Sequence, residues 1–211
     1  MRSNSKLFHP AAILLFSLFA GAVMTLYACD APRTQALGAA RQQGMIAGAY
    51  NPPYSAPEFS LPGSNGSDVT LARYRGKVVL LAFGFTHCAA VCPTTLATLA
   101  QARSGLGSAA DSVQVIYVTV DPARDDAAHL RNYLAAFDPS FIGATGAPDA
   151  LATVRQKYGV TAVKQGTGPD YAFAHTSSIF LIDRAGKLRA MMPFGHNPSD
   201  FVHDINFLLA H

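Results

Sequence analysis

Apolar residues are distributed unevenly along this chain, and their spacing sorts it into elements. Lys77–Gly84 is a continuous β-rich run, K-V-V-L-L-A-F-G. It reads as a central strand buried on both faces. Val113–Val120 and Ser177–Asp183 repeat the pattern. Between them lie stretches with apolar residues at helical spacing. Pro93 to about Arg103 is one, and Asp125–Phe137, with Leu130, Tyr133, Leu134 and Phe137 on one face, is another. Pro148–Tyr158 has Pro and Asp149 in its first turn and Gly159 at its end, as a helix would. A terminal helix from Pro198 or Ser199 turns Phe201, Ile205, Leu208 and Leu209 inward. Glu58–Leu61 and Asp68–Leu71 flank Gly63-Ser64-Asn65-Gly66, a hairpin signature. Phe141–Ala144 is a short strand, and Arg184-Ala185-Gly186 turns into a last strand, Lys187–Pro193. The order is a β-hairpin, then β, α, β, α, β, α, β, β, α. Strand–helix alternation requires parallel pairs, and the last hairpin supplies an antiparallel edge. The expected class is α/β: a three-layer sandwich with a mixed central sheet and an N-terminal β-hairpin, over residues 57–211.

The N-terminal part reads differently. Arg2 and Lys6 precede an apolar stretch from Ala11 to Ala28, the layout of an export signal. At 18 residues it also approaches the length of a spanning helix. Two readings stand. The segment stays as an anchor, or it is cleaved before Cys29. Leu26-Tyr27-Ala28-Cys29 resembles a bacterial lipoprotein signal, in which the cysteine is lipidated. Either way residues 1–29 tether the chain to a membrane and send the rest to the extracytoplasmic, periplasmic side. Residues 30–56 are rich in Ala, Gly, Gln and Pro and lack periodicity, and Asn51-Pro52-Pro53 breaks any helix. They read as a linker.

Composition narrows the function. Half of the 211 residues are hydrophobic and 14 % are charged, which excludes global disorder. The formal net charge is +3, but from Pro57 onward there are 12 bases and 12 acids. No clustered basic face remains, so nucleic acid is not the expected partner.

The chemistry sits where the first central strand ends, in Phe83-Gly84-Phe85-Thr86-His87-Cys88-Ala89-Ala90-Val91-Cys92-Pro93. Sites in open α/β sheets collect at such strand ends. Pro93 suits the first helical position, so Cys88–Cys92 are expected in the loop before the helix. Both sulfurs would feel the positive end of its dipole, which favours thiolate. Two close thiolates can form a disulfide or hold a soft metal. A structural zinc site needs four ligands, and there is no second Cys pair. His175, in Ala174-His175-Thr176-Ser177-Ser178, immediately precedes the third buried strand. If that strand lies beside the first, the imidazole sits near the Cys loop. A Cys₂His set suits Cu(I) trigonally, or Cu(II) with a further ligand. His129, His203 and His211 fall on helices with a solvated face as the default, His196 in a turn, His9 in the signal, and His87 points away from Cys88.

F-G-F-T-H-C-x-x-x-C-P, V-T-V-D-P-x-R-D and A-H-T-S-S-I-F-L-I-D together resemble the Sco/SenC proteins, copper-insertion factors for cytochrome c oxidase. The resemblance covers about residues 57–211. It implies a thioredoxin-like fold and copper, Cu(I) or Cu(II), held by Cys88, Cys92 and His175. It also implies a copper donor protein and cytochrome c oxidase subunit two as partners. Where the family commonly has Pro-Asp after the first Cys, this chain has Ala89-Ala90. Asp121 matches a family position with a supporting role. The alternative is a thiol–disulfide oxidoreductase using Cys88 and Cys92 as a redox pair, with a thiol peroxidase as a third option. Ordinary thioredoxins use C-x-x-C and carry a cis-proline before the third strand; both differences favour metal.

Overall fold

The computed structural model describes residues 44–211. The apolar stretch at Ala11–Ala28, Cys29 and the first part of the expected linker lie outside the described residues. No helix among the described residues is long and apolar enough to cross a membrane.

The three continuous apolar runs form the middle of a six-stranded sheet. They are β4 (Val78–Gly84), β5 (Val113–Thr119) and β9 (Ile179–Ile182), and every residue in them is buried. The other members are β1 (Gly48–Ser55), β6 (Ile142–Ala144) and β10 (Lys187–Met192), in the order β1-β10-β9-β4-β5-β6. β4, β5 and β6 run parallel; β9, β10 and β1 add antiparallel neighbours. Period-two alternation divides the buried side chains between two cores. Val78, Leu80 and Ala82 pack with Leu96, Leu99, Phe201, Ile205 and Leu208. Those residues belong to α1 (Val91–Gly105) and α4 (Pro198–Ala210). α2 (Ala127–Ala135) adds Leu130 and Leu134 to the same face. Val79, Leu81 and Phe83 pack the other way, against Leu151 and Val154 of α3 (Pro148–Lys157) and against Leu61 and Val69. Leu61 and Val69 face each other in the hairpin β2 (Ser60–Pro62) and β3 (Asp68–Thr70). The expected three layers, mixed sheet and hairpin are therefore present.

The expected linker, residues 30–56, is corrected over its last part. Residues 48–55 are the edge strand β1, paired antiparallel with β10. The register shifts between Ala49 and Tyr54, where Asn51-Pro52-Pro53 sits, because proline has no N–H for the ladder. Ahead of the strand, the Ile46 and Ala47 N–H groups donate to the buried carboxylate of Asp204 on α4, at 2.7 and 2.8 Å. The domain thus begins by Met45 rather than at 57. A second hairpin, β7 (Ala162–Gln165) and β8 (Ala172–His175), stands outside the main sheet.

Candidate metal and thiol site

Two strands bring the site together. β4 and β9 are antiparallel neighbours, with Ala82 opposite Ile179. The C-terminal end of β4 and the N-terminal end of β9 therefore share one edge of the sheet. β4 leads into the turn that carries Cys88, and β9 is preceded by His175. The expected adjacency of these two strands is observed. His175 itself is the last residue of β8, paired with Ala162, and not a free loop residue.

The helix begins at Val91 with Ala90 as its N-cap, so Cys92 lies in the first turn and not in the loop. Pro93 is the third helical residue. That position is allowed because the first N–H groups of a helix have no intrahelical acceptor to lose. The Cys92 N–H donates to Cys88 Sγ at 3.4 Å, so Cys88 caps the helix that carries Cys92. Both thiols are free.

Placement makes the two sulfurs unequal. Cys88 is half-buried, and that burial pushes its pKa up, but the N–H groups of Cys92, Ala90 and Val91 outweigh it and bring the thiol below its ordinary value. Cys92 is 3 % exposed, and burial pushes its pKa up to about 12. The expectation that both sulfurs favour thiolate holds for Cys88 alone.

Cys92 Sγ lies 3.5 Å from His175 Nε2. The other ring nitrogen, Nδ1, lies 2.9 Å from the Thr176 carbonyl. A carbonyl only accepts, so Nδ1 carries the proton and Nε2 presents its lone pair to the sulfur. The rings of Phe85 and Phe173 pack near this edge; Phe85 meets the imidazole edge-on with centroids 5.8 Å apart. Cys88 Sγ, Cys92 Sγ and His175 Nε2 are not all within 4.8 Å of one another, so the trio is open, not a closed cage.

Gly84, the last residue of β4, makes room for this packing. A Cβ there would stand 2.9 Å from Cys92 Sγ and 2.8 Å from Tyr117 Cζ, and it would collide with the Tyr117 hydroxyl. Two buried aspartates hold the surrounding backbone. Asp125 accepts from the Thr86 N–H (3.1 Å), the Thr86 hydroxyl (2.6 Å) and the Thr119 hydroxyl (2.7 Å), fixing the turn before Cys88. Asp121 accepts from the Tyr171 hydroxyl at 2.7 Å and pairs with Arg124. Arg124 in turn donates to the carbonyls of Tyr171 and Pro169, in the hairpin that carries His175. Asp121 thus positions the histidine from a distance. Asp125 received no role from the sequence; its signal was a second carboxylate four residues after the first, at the end of a buried strand.

A sandwich of this topology, with a dithiol and an imidazole at the mouth of its central strands, defines a thioredoxin-like domain built for thiol or soft-metal chemistry. The SCO1/SenC family model matches residues 48–210. Protein SCO2 homolog, mitochondrial, of Mus musculus is 36 % identical over 133 residues, 61 % of this chain and 52 % of that protein. Protein SCO1, mitochondrial, of Saccharomyces cerevisiae is 30 % identical over 180 residues, 83 % of this chain and 60 % of that one. The structure of Bradyrhizobium japonicum ScoI with copper bound is 37 % identical, with a TM-score of 0.68 over 74 % of this chain and 99 % of that one. The chain belongs to the SCO1/SenC family. It spans between half and two thirds of the length of those two mitochondrial relatives.

Proposed function

We propose that the protein binds copper through Cys88, Cys92 and His175 and helps assemble the dinuclear copper centre of cytochrome c oxidase. The observation that carries this reading is the unprotonated Nε2 of His175, aimed at the Cys92 sulfur at 3.5 Å and held in that tautomer by the Thr176 carbonyl. A redox dithiol needs no such imidazole; a metal site does. The match to a copper-bound ScoI structure supports copper as the metal. In this reading Cys88 offers a thiolate at little cost, and Cys92 gives up its proton as the metal binds. The open shell lets a client's cysteine enter before a ligand leaves, so copper passes by exchange of thiolates. The chain is cleaved before Cys29, and the lipid on that cysteine tethers the domain to the membrane. The domain works on the periplasmic side, between a copper donor protein and subunit two of the oxidase.

The test is copper stoichiometry and spectra of the reduced protein, with and without His175→Ala. Loss of one of three ligands should weaken Cu(II) most, because two thiolates still hold Cu(I) linearly. Unchanged binding of both ions, with oxidase assembly intact, would refute the assignment.

A second reading has its own support. The split between Cys88, lowered, and Cys92, raised to about 12, resembles an attacking thiolate and its buried resolving partner. On that reading the pair reduces cysteines of the oxidase copper site, and His175→Ala leaves most of the reductase activity in place.

A further inference from the structure

Tyr117 sits in the middle of β5, opposite Ala82 of the neighbouring β4. Its side chain is 1 % exposed, and its hydroxyl makes no hydrogen bond among the described residues. A buried O–H without an acceptor is destabilising, so a fold that keeps one needs a reason for it. The Tyr133 hydroxyl on α2 is also buried and unpartnered, so the two phenols do not satisfy each other. Gly84 shows what the Tyr117 hydroxyl faces. The Cβ that Gly84 lacks would stand 2.8 Å from Tyr117 Cζ, closer still to the hydroxyl oxygen, and 2.9 Å from Cys92 Sγ. Oxygen and sulfur therefore share the space above one glycine. They also line one narrow cavity with Thr95, His175 and Ser177. Burial works against an ionised Cys92, and the groups that offset it are the Phe85 N–H and this hydroxyl.

We propose that the Tyr117 hydroxyl is a positioning group for Cys92, donating a hydrogen bond to its sulfur when that sulfur is a metal-bound thiolate. The role rests on the reading of Cys92 as a copper ligand and adds the group that stands behind it. In the metal-free protein Cys92 carries its own proton, directed at the unprotonated His175 Nε2 at 3.5 Å. A neutral thiol is a weak acceptor, and the phenol stays unbonded. When a metal ion takes the place of that proton, the sulfur becomes a charged acceptor. A hydrogen bond to a charged acceptor is about twice as strong as a neutral one. The Phe85 N–H is main chain, which almost any residue there would supply; the phenol is what the side chain at position 117 contributes. A hydrogen bond draws electron density from a ligating sulfur, and the effect is greater when the ion carries less charge. Tyr117 should therefore favour Cu(I) over Cu(II).

The experiment takes the reduced full chain with Cys29→Ser, which leaves two thiols, and compares it with Tyr117→Phe and Tyr158→Phe on the same background. Tyr158 is a control of the opposite kind, because its hydroxyl donates to the Pro57 carbonyl at 2.8 Å. Each protein is loaded with Cu(I), with Cu(II) and with Hg(II), a thiol probe independent of copper. Without metal, Tyr117→Phe should unfold no earlier than the parent, while Tyr158→Phe unfolds earlier. With metal the pattern reverses. Tyr117→Phe should bind Cu(I) ~10–100-fold more weakly, and its thiolate-to-Cu(II) and thiolate-to-Hg(II) absorption bands should move to longer wavelength. Tyr158→Phe should keep the parent's affinity and bands. Unmoved bands and equal affinity in Tyr117→Phe would overturn the proposal. So would a failure of that variant to fold, or a loss of metal-free stability as large as that of Tyr158→Phe, since the hydroxyl would then be a packing group. A parent that takes Hg(II) but no copper refutes the copper reading of the site, and the mercury band alone then decides the role of Tyr117.

Discussion

Iodoacetamide added to the reduced protein at about pH 7.5 should label Cys88 and spare Cys92. Alkylation needs the thiolate, and the two sulfurs differ in how often they are ionised. Cys88 lies below its ordinary 9.0, while burial takes Cys92 up to about 12, so their pKa values differ by at least about three units. At neutral pH that is a thiolate ratio of ~10³ or more. A more basic thiolate is also a better nucleophile, with a Brønsted slope of ~0.4–0.5. Over three units this returns a factor of ~15–30 to Cys92. Ionisation still wins, and Cys88 should react at least ~30-fold faster. Burial of the Cys92 sulfur adds to the difference because the reagent must reach it. The assay is a time course of alkylation followed by peptide mass spectrometry, with each single Cys→Ser variant as a control. Rates within threefold of each other, or a faster Cys92, would refute the electrostatic account of the helix N-terminus. A bound thiophilic metal should protect both sulfurs.

Gly84→Ala puts a methyl against the Tyr117 side chain and Cys92 Sγ, both buried. Overpacking of this kind costs ~1–3 kcal/mol, to be read as a lower urea midpoint. Asp204→Ala removes the acceptor of the Ile46 and Ala47 N–H groups. Hydrogen bonds to charged groups contribute ~1.5–3 kcal/mol each, so loss of the two should cost ~3–6 kcal/mol, and a chain beginning at Pro53 should lose a similar amount. A truncated chain as stable as the parent would show that β1 is dispensable. Asp121→Asn breaks the Arg124 pair and frees the second hairpin, so amide exchange over residues 162–175 should accelerate while exchange in β5 stays slow. Alkaline stability carries a definite sign. Burial raises Cys92 to about 12 in the fold, so its contribution is full below the unfolded value near 9 and is lost as pH climbs from there towards 12. Thermal midpoints between pH 8 and 11 should fall less in Cys92→Ala than in the parent, on top of the loss from buried Tyr117 and Tyr158, whose pKa values burial also raises.

The parts of the fold that sequence reveals are those whose burial is uniform. β4, β5 and β9 are covered on both faces, so nearly every residue is apolar, with Gln114 and Thr119 the polar exceptions in β5, and the run declares itself. β1 is the opposite case. Seven of its eight residues are exposed, two are prolines, and its partner β10 lies over 130 positions away. Its pairing rests on main-chain hydrogen bonds, which leave no mark on side-chain pattern. The same holds for β7 and β8, where Ala-Val-Lys-Gln carries no buried stripe. Asp204 misleads in the other sense. A charged residue on an amphipathic helix is expected on the wet face, and here it is buried because two backbone N–H groups from a distant segment come to it.

The candidate site shows where local reasoning stops. Cys88, Cys92 and His175 stand out as residue types in a meaningful order, and strand adjacency follows from topology. Their inequality does not, because a thiol's pKa depends on what covers it. Three residues decide whether a sulfur caps the helix or is buried in its first turn, and Pro93 alone placed the helix start two residues late. His87 and His129 carry the same lesson further. Each looks like a solvated histidine on its own element. Only the Thr86 hydroxyl, which donates to Asp125 and accepts from His87 Nδ1 and His129 Nε2, turns two separate rings towards one point. A hydrogen-bonded cluster assembled from a turn and a helix that share no periodicity has no sequence signature. It is visible only when the hydrogen bonds around its hydroxyl are counted and its single proton is found to be already spent.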